Sequence, residues 1–211
     1  KLAYAYRFNI ADGEMTAGAQ VGFINKTIDF SKFRPIEEND PLLSSTSKES
    51  TMFIDFAVGA FYRVPNQYYV GLSASQLTQS TQEIGSIEQQ LKTHIYLTGG
   101  YEYVIPSFPS LEILPSVLIK TDGVSAQYDI TAMGRYNNKF WGGVNYRVQD
   151  AVSIILGMNY KNLNFGYSYD ITTSALGRKG RSSGSHEIMV GYCFKIEIEK
   201  PRRSYKNTRF L

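Results

Sequence analysis

Residues 52–63 read Met-Phe-Ile-Asp-Phe-Ala-Val-Gly-Ala-Phe-Tyr-Arg, and one parity of this stretch is wholly apolar: Met52, Ile54, Phe56, Val58, Ala60 and Tyr62. The other parity is mixed, with Phe53, Asp55, Ala57, Gly59, Phe61 and Arg63. Successive side chains of an extended chain point to opposite faces, so the stretch predicts a β-strand with one apolar and one mixed face. The same split recurs along the chain. Val124, Ala126, Tyr128, Ile130 and Ala132 oppose Ser125, Gln127, Asp129, Thr131 and Arg135, and Leu163, Phe165, Tyr167, Tyr169 and Ile171 oppose Asn164, Gly166, Ser168 and Asp170. Ile188, Val190, Tyr192, Phe194 and Ile196 likewise oppose Glu187, Gly191, Cys193 and Lys195. Comparable segments begin near Leu2, Met15, Tyr68, His94, Leu111, Phe140 and Ala151, giving about eleven strands.

The connections alternate in length. Asp12-Gly13, Val64-Pro65-Asn66, residues 106–109, Asn137-Asn138 and Lys161-Asn162 are short and rich in turn-forming residues. Between them, in the opposite phase, lie long segments at 25–50, 76–92 and 172–184 and shorter ones at 121–123 and 149–150. Tight turns at one end and longer loops at the other are the arrangement of an outer-membrane barrel, with the turns periplasmic.

Composition agrees with strands. The 211 residues include 16 Tyr, 12 Phe and one Trp beside 18 Gly, and 19% are charged, which disfavours both disorder and a helix bundle. One cysteine, Cys193, and two histidines, His94 and His186, leave no material for a disulfide framework or a multi-cysteine zinc site; no metal or cofactor is expected. No apolar run approaches the roughly 18 residues of a membrane-spanning helix, so bilayer entry requires a closed barrel. The net charge of +3 is concentrated in residues 199–211, where Lys200, Arg202, Arg203, Lys206 and Arg209 face one acid, Glu199. Two regions follow: a barrel over 1–198 and a basic periplasmic tail over 199–211. Nothing else points to nucleic acid.

A β-sandwich or a lipocalin-like barrel would alternate in the same way. The membrane reading is favoured by aromatics near strand ends (Tyr4, Tyr6, Tyr62, Tyr101, Tyr103, Tyr136, Phe140, Tyr169), by strand length, and by charges confined to the polar parity. The predicted fold is therefore an all-β, transmembrane, antiparallel, up-and-down β-barrel. An odd strand count places Lys1 at the outer end of the first strand, whereas bacterial barrels have even counts. The chain opens on a strand without an initiating Met, as a mature or truncated product would, and three further strands would complete a barrel of about fourteen.

Few residues suggest chemistry. Ser185-His186 beside Asp170 invites a hydrolase reading, but neighbours on a strand point to opposite faces and cannot form a nucleophile and base pair. His94 reads as a polar strand entrance. On the inward parity Arg7, Arg63, Lys120, Arg135, Arg147 and Lys195 balance Asp55, Glu102, Glu112, Asp129, Asp170 and Glu187, which predicts cross-strand pairs in a scaffold rather than the one-signed constriction of a selective pore. Glu37-Glu38-Asn39-Asp40 and the loop bases Arg178, Lys179 and Arg181 read first as solvated loop charges. Cys193 is expected to be a buried, inert small residue.

From Tyr101 onward the order of segments resembles the PorP/SprF family of Bacteroidota outer-membrane proteins, associated with type IX secretion and gliding motility. The residues that carry the resemblance are Gly100-Tyr101, Leu114-Pro115-Ser116-Val117-Leu118-Ile119-Lys120, Gln127-Tyr128-Asp129 and Tyr136-Asn137, then Phe140-Trp141-Gly142-Gly143, Tyr146-Arg147, Gly166-Tyr167-Ser168-Tyr169-Asp170, Gly184-Ser185-His186-Glu187 and Asn207-Thr208-Arg209-Phe210-Leu211. Residues 1–99 match more loosely, through Tyr4-Ala5-Tyr6 and Gly71-Leu72-Ser73, and the family's Asn-Pro-Ala segment near the mature start is absent. The resemblance implies a multi-pass, non-enzymatic outer-membrane component needed for export or surface anchoring of type IX cargo such as motility adhesins. On that basis the outer loops, with Arg178, Lys179 and Arg181, are expected to meet cargo or an adhesin. The tail residues Arg202, Arg203, Lys206 and Arg209 are expected to meet periplasmic ring or peptidoglycan-associated components. The rivals are a porin-like solute channel and an outer-membrane enzyme dependent on Ser185 or His186.

Overall fold

The computed structural model describes residues 1–32, 48–84, 87–175, 177 and 184–194. In chain order the elements are β1 (Leu2–Ile10), β2 (Gly13–Asp29), a 3-10 turn η1 (Phe30–Lys32), β3 (Lys48–Val64), β4 (Tyr68–Ser75), β5 (Thr81–Ile84), β6 (Ile87–Gln90), β7 (His94–Tyr101), β8 (Tyr103–Val104), β9 (Leu111–Thr121), β10 (Ala126–Tyr136), β11 (Phe140–Arg147), β12 (Ala151–Tyr160), β13 (Leu163–Thr172) and β14 (Ser185–Tyr192). Twelve strands form one antiparallel sheet, in the order β1-β2-β3-β4-β7-β9-β10-β11-β12-β13-β14, with β8 beside β9; β5 and β6 form a separate hairpin. The eleven strands of the main path are the segments that alternation identifies.

The boundaries differ at strand ends, where a ladder can continue on backbone hydrogen bonds without an apolar parity. β2 and β3 stay paired out to Asp29↔Lys48, so the connection expected at 25–50 starts later and ends earlier. The connection expected at 76–92 contains the β5–β6 hairpin. β10 starts at Ala126, leaving Val124 exposed in the turn, and β14 ends at Tyr192. The expected continuation of that strand to Ile198, and the tail, lie outside the described residues.

Closure is the main correction. Among the described residues the sheet is open: β1 pairs only with β2, and β14 only with β13. Every pair is antiparallel, so the first and eleventh strands of the path run in the same direction, and joining them directly would demand a parallel ladder in an otherwise antiparallel sheet.

Register fixes the faces. Asp129↔Arg147, Thr131↔Asn145, Asn145↔Ser153 and Ser153↔Asp170 run across β10 to β13 on the polar face, while Ile130↔Tyr146, Val144↔Ile154 and Ile154↔Tyr169 run across the apolar face. Among the described residues the apolar face is exposed from β1 to β14. Among the described residues the buried apolar side chains are Phe30, Phe53, Val64, Ile84 and Ala151. Phe53, Ile84 and Phe30 belong to β3, β5 and η1, which pack together at the long-loop end.

Close backbone approach requires glycine at Gly143, on the polar face of β11: an added Cβ would run into the Ala132 carbonyl oxygen and lie 2.7 Å from Met133 Cα. Gly143→Val is expected to destabilise the folded sheet by about 1–3 kcal/mol through the forced β10–β11 displacement, measured as a lowered thermal midpoint in detergent; an unchanged midpoint would show that the two strands are not so closely joined.

Candidate functional site

The functional surface is the sheet itself, which presents two chemically different faces. On the apolar parity, Leu2, Tyr4, Val70, Leu72, Ile130, Val144, Leu156 and Ile188 are among a row of exposed side chains that extends from β1 to β14. A soluble protein rarely exposes so large a contiguous apolar patch. Its aromatics collect at two levels. Tyr62, Tyr68, Tyr101, Tyr103, Tyr136, Phe140, Tyr160 and Tyr192 stand at the short-turn end, with Phe108 stacked on Tyr136 at 6.1 Å and Phe194 edge-on to Tyr192 at 4.6 Å. Tyr128, Tyr146 and Tyr169 stand toward the other end. Tyr128 and Tyr136 are eight residues apart on β10. That is roughly 27 Å along a strand, or about 20 Å of height at a tilt of about 40°, comparable with the apolar band of outer-membrane barrels, about 25 Å tall.

The polar face carries ion pairs. Arg135 is directly opposite Glu112, with Nε donating to Oε2 at 2.7 Å, and Arg147 is directly opposite Asp129, with Nε donating to Oδ1 at 3.0 Å. Arg147 also reaches Asp150 at 3.5 Å. Arg63 spans β4 to meet Glu102 at 2.8 Å, and Arg7 meets Glu14 at 2.5 Å. The last pair is largely solvated and contributes little, whereas the half-buried Arg135–Glu112 and Arg147–Asp129 pairs act as cross-strand links. The expectation of paired rather than one-signed charges is met at these positions.

At the long-loop end residues 76–78, which lead into the β5–β6 hairpin, are fastened to β3. Buried Asp55 accepts the Gln76 backbone N–H at 2.8 Å, Leu77 N donates to the Phe56 carbonyl at 3.0 Å, and the Thr78 hydroxyl donates to the Ile54 carbonyl at 2.8 Å. Lys26 on the extended β2 reaches Gln89 on β6. The sequence reading placed Asp55 among the paired charges; its role here is to cap a loop. No signal in the sequence marks that role, since it depends on the backbone of Gln76, 21 residues further along the chain.

The catalytic suspects are not brought together. Ser185 is opposite Asp170 on the polar face, while His186 lies on the apolar face opposite Tyr169, its Nδ1 2.8 Å from the Tyr167 hydroxyl and its ring 4.5 Å from that of Tyr169. His186 is thus part of the aromatic level at the long-loop end. His94 Nδ1 lies 2.6 Å from Gln76 Oε1 and 2.9 Å from the Lys92 carbonyl oxygen, holding the entrance to β7. Cys193 is exposed rather than buried, because β14 has ended by Tyr192 and, among the described residues, no strand flanks it on the far side. Arg178, Lys179, Arg181, Arg202, Arg203, Lys206, Arg209 and the acidic residues Glu37, Glu38 and Asp40 lie outside the described residues.

One turn outside the sheet has a marked electrostatic character. Asp122 accepts the backbone N–H groups of Ser125 at 2.8 Å and Val124 at 3.1 Å, and the Ser125 hydroxyl at 3.1 Å. These donors, the Ser125 amide first, lower its pKa from 3.8 to about 2.

Together these features define an all-β protein of the up-and-down antiparallel type, with one exposed apolar face and the other held by ion pairs. The chain belongs to the PorP/SprF family: the profile of the type IX secretion system membrane protein PorP/SprF matches residues 1–192. No curated protein matches it. The protein is accordingly a membrane component of the type IX secretion system.

Two outcomes follow for the site. Arg147→Met is expected to cost about 1–3 kcal/mol by leaving Asp129 unpaired, with the double variant Arg147→Met/Asp129→Leu recovering part of the loss in thermal melts; equal losses in the two would deny the pairing. Asp122 has a lowered folded pKa, so its contribution is full above pH 3.8 and disappears as pH falls through about 2. The thermal midpoint difference between the unchanged protein and Asp122→Ala should therefore be present at neutral pH and vanish toward about pH 2; a pH-independent difference would contradict the turn's charge.

Proposed function

We propose that this chain forms most of the wall of an outer-membrane β-barrel in the type IX secretion machinery, and that its role is non-enzymatic: export or surface anchoring of cargo such as motility adhesins. The observation that carries the reading is the apolar face continuous over the sheet, flanked by two aromatic levels and opposed by a polar face. An exposed strand edge cannot remain unpaired in hydrocarbon, because each unsatisfied backbone group there costs several kcal/mol, of the order of ~4. An odd number of strands, about three for a barrel of about fourteen, would bridge β1 to β14 with antiparallel pairs throughout. On this reading the short turns face the periplasm and the long connections the cell surface.

The partner assignments belong to the same proposal. Arg178, Lys179 and Arg181, between β13 and β14, would contact cargo or a surface adhesin. Residues 199–211, with Arg202, Arg203, Lys206 and Arg209, would contact periplasmic ring or peptidoglycan-associated components. Changing the four tail bases to Ser should abolish pull-down of those components; intact pull-down and secretion would remove the tail from the account. A porin-like channel is the alternative. The paired charges on the polar face favour a scaffold over it, and large open conductance of the reconstituted protein would reverse that preference.

Ile130, exposed on the apolar face of the central strand β10, offers the direct test of the membrane reading. Ile130→Arg should cost about 2–4 kcal/mol and reduce the yield of membrane-inserted, heat-modifiable protein, whereas Thr131→Arg, one residue along and on the polar face, should be tolerated better. Equal effects at the two positions would contradict a lipid-facing parity.

A further inference from the structure

Two lysines at the short-turn rim fold back over the apolar face. Lys139 closes the β10–β11 turn with Nζ 5.3 Å from the centroid of the Phe140 ring, and Lys161 opens the β12–β13 turn with Nζ 5.5 Å from that of Tyr160. Both rings lie on the apolar parity and are exposed. The cations are thus held at the level of the aromatic girdle by the ring faces. Neither ammonium takes part in an ion pair among the described residues.

The two turns are fixed relative to one another. Asn159 on β12 donates its backbone N–H to the Lys139 carbonyl at 2.7 Å and its Nδ2 to the Asn138 carbonyl at 3.1 Å, and its Oδ1 accepts from Trp141 Nε1 at 3.3 Å. Two strand spacings separate the turns, roughly 10 Å. Lys161 itself has φ +54°, in the left-handed region where a Cβ costs about 1 kcal/mol relative to glycine. A charged side chain therefore stands where glycine would be least strained, and such outliers collect at functional positions. Below the rim the apolar face continues: Gly134 and Gly142, both on the apolar parity, are directly opposite each other across β10 and β11, and the Leu156 side chain lies against Gly142, its Cδ2 2.9 Å from where a Cβ would stand.

The geometry points to a phospholipid site at this rim, with a phosphodiester headgroup between Lys139 and Lys161 and the acyl chains against the exposed apolar face below them. The site rests on the reading of the apolar face as lipid-facing. Two ammonium groups at the interface supply charge-assisted hydrogen bonds to phosphate oxygens, and the aromatic rings keep the ammonium groups from extending into bulk water. The lipid is one of the leaflet at the short-turn end, and its phosphate, not its acyl chain alone, provides the affinity.

The test is native mass spectrometry of the complete protein extracted from its membrane, with dioleoyl phosphatidylglycerol as the probe. Lys139→Gln/Lys161→Gln should lower retention of this lipid roughly 10- to 30-fold, as two interfacial lysines imply, while Lys120→Gln, a lysine on the polar face, should leave it unchanged. Dioleoyl glycerol, which lacks the phosphate, should be retained no better by the unchanged protein than by the double variant. Equal phosphatidylglycerol retention in the double variant would overturn the site while carbonate-resistant membrane association left the lipid-facing reading standing. Release of the unchanged protein by carbonate would overturn both. Binding of free glycerol 3-phosphate as tightly as the lipid would also overturn the assignment.

Discussion

From β9 to β13 the register holds the charges on one face, with a few apolar side chains such as Leu118, Met133, Trp141 and Ile155 among them, and leaves the other face apolar. A slip of one residue in any pair would turn an entire set over, carrying Asp129 or Arg147 onto the apolar face and Ile130 or Tyr146 onto the polar one. The register is held by cross-strand links as well as backbone bonds. Arg135 opposite Glu112 and Arg147 opposite Asp129 can be satisfied only in the observed alignment of β9, β10 and β11. The buried apolar clusters of a soluble domain are replaced here by an exposed apolar face, with burial confined to a few residues such as Phe53 and Ile84.

That arrangement divides the molecule by height. In the middle, one parity of each strand is apolar and the other mixed. At the short-turn end, tight turns with positive φ at Asn137, Asn138 and Lys161 hold the aromatic girdle close to its lysines. At the other end β2 and β3 project beyond their neighbours, and residues 76–78, which lead into the β5–β6 hairpin, are pinned to β3 through Asp55 and backbone carbonyls, so part of what connects β4 to β7 is ordered structure rather than bare loop.

The alternation typified by residues 52–63, 124–136 and 163–171 is enough to read the eleven strands of the main path and their faces, because each depends only on period and parity; of the named charges, Arg63–Glu102, Arg135–Glu112 and Arg147–Asp129 pair as expected, whereas Asp55 does not. Strand ends were less readable. Pairing from Asn25 to Asp29 and from Lys48 to Met52 continues past the apolar pattern, since exposed ladders are satisfied by backbone bonds alone. The β5–β6 hairpin was missed because Thr81–Ile84 and Ile87–Gln90 are short and mostly polar. Cys193 was misplaced because parity assigns a face but not the point where a strand stops. The candidate site was readable as the paired polar face, whereas the capping role of Asp55 and the lysine–aromatic rim depend on contacts between residues far apart in sequence.

Membership of the PorP/SprF family places the protein in the membrane part of type IX secretion, and the central physical claim is that alternate residues of a single strand meet lipid and water. Single cysteines placed along β10 in a Cys193→Ser background, from Gln127 to Thr131, test this most directly in proteoliposomes. Fluorophores at Tyr128 and Ile130 should be quenched by nitroxide-labelled lipid and resist water-soluble iodide, with the reverse at Gln127, Asp129 and Thr131. Uniform quenching by either agent along the strand, or the opposite parity, would contradict it.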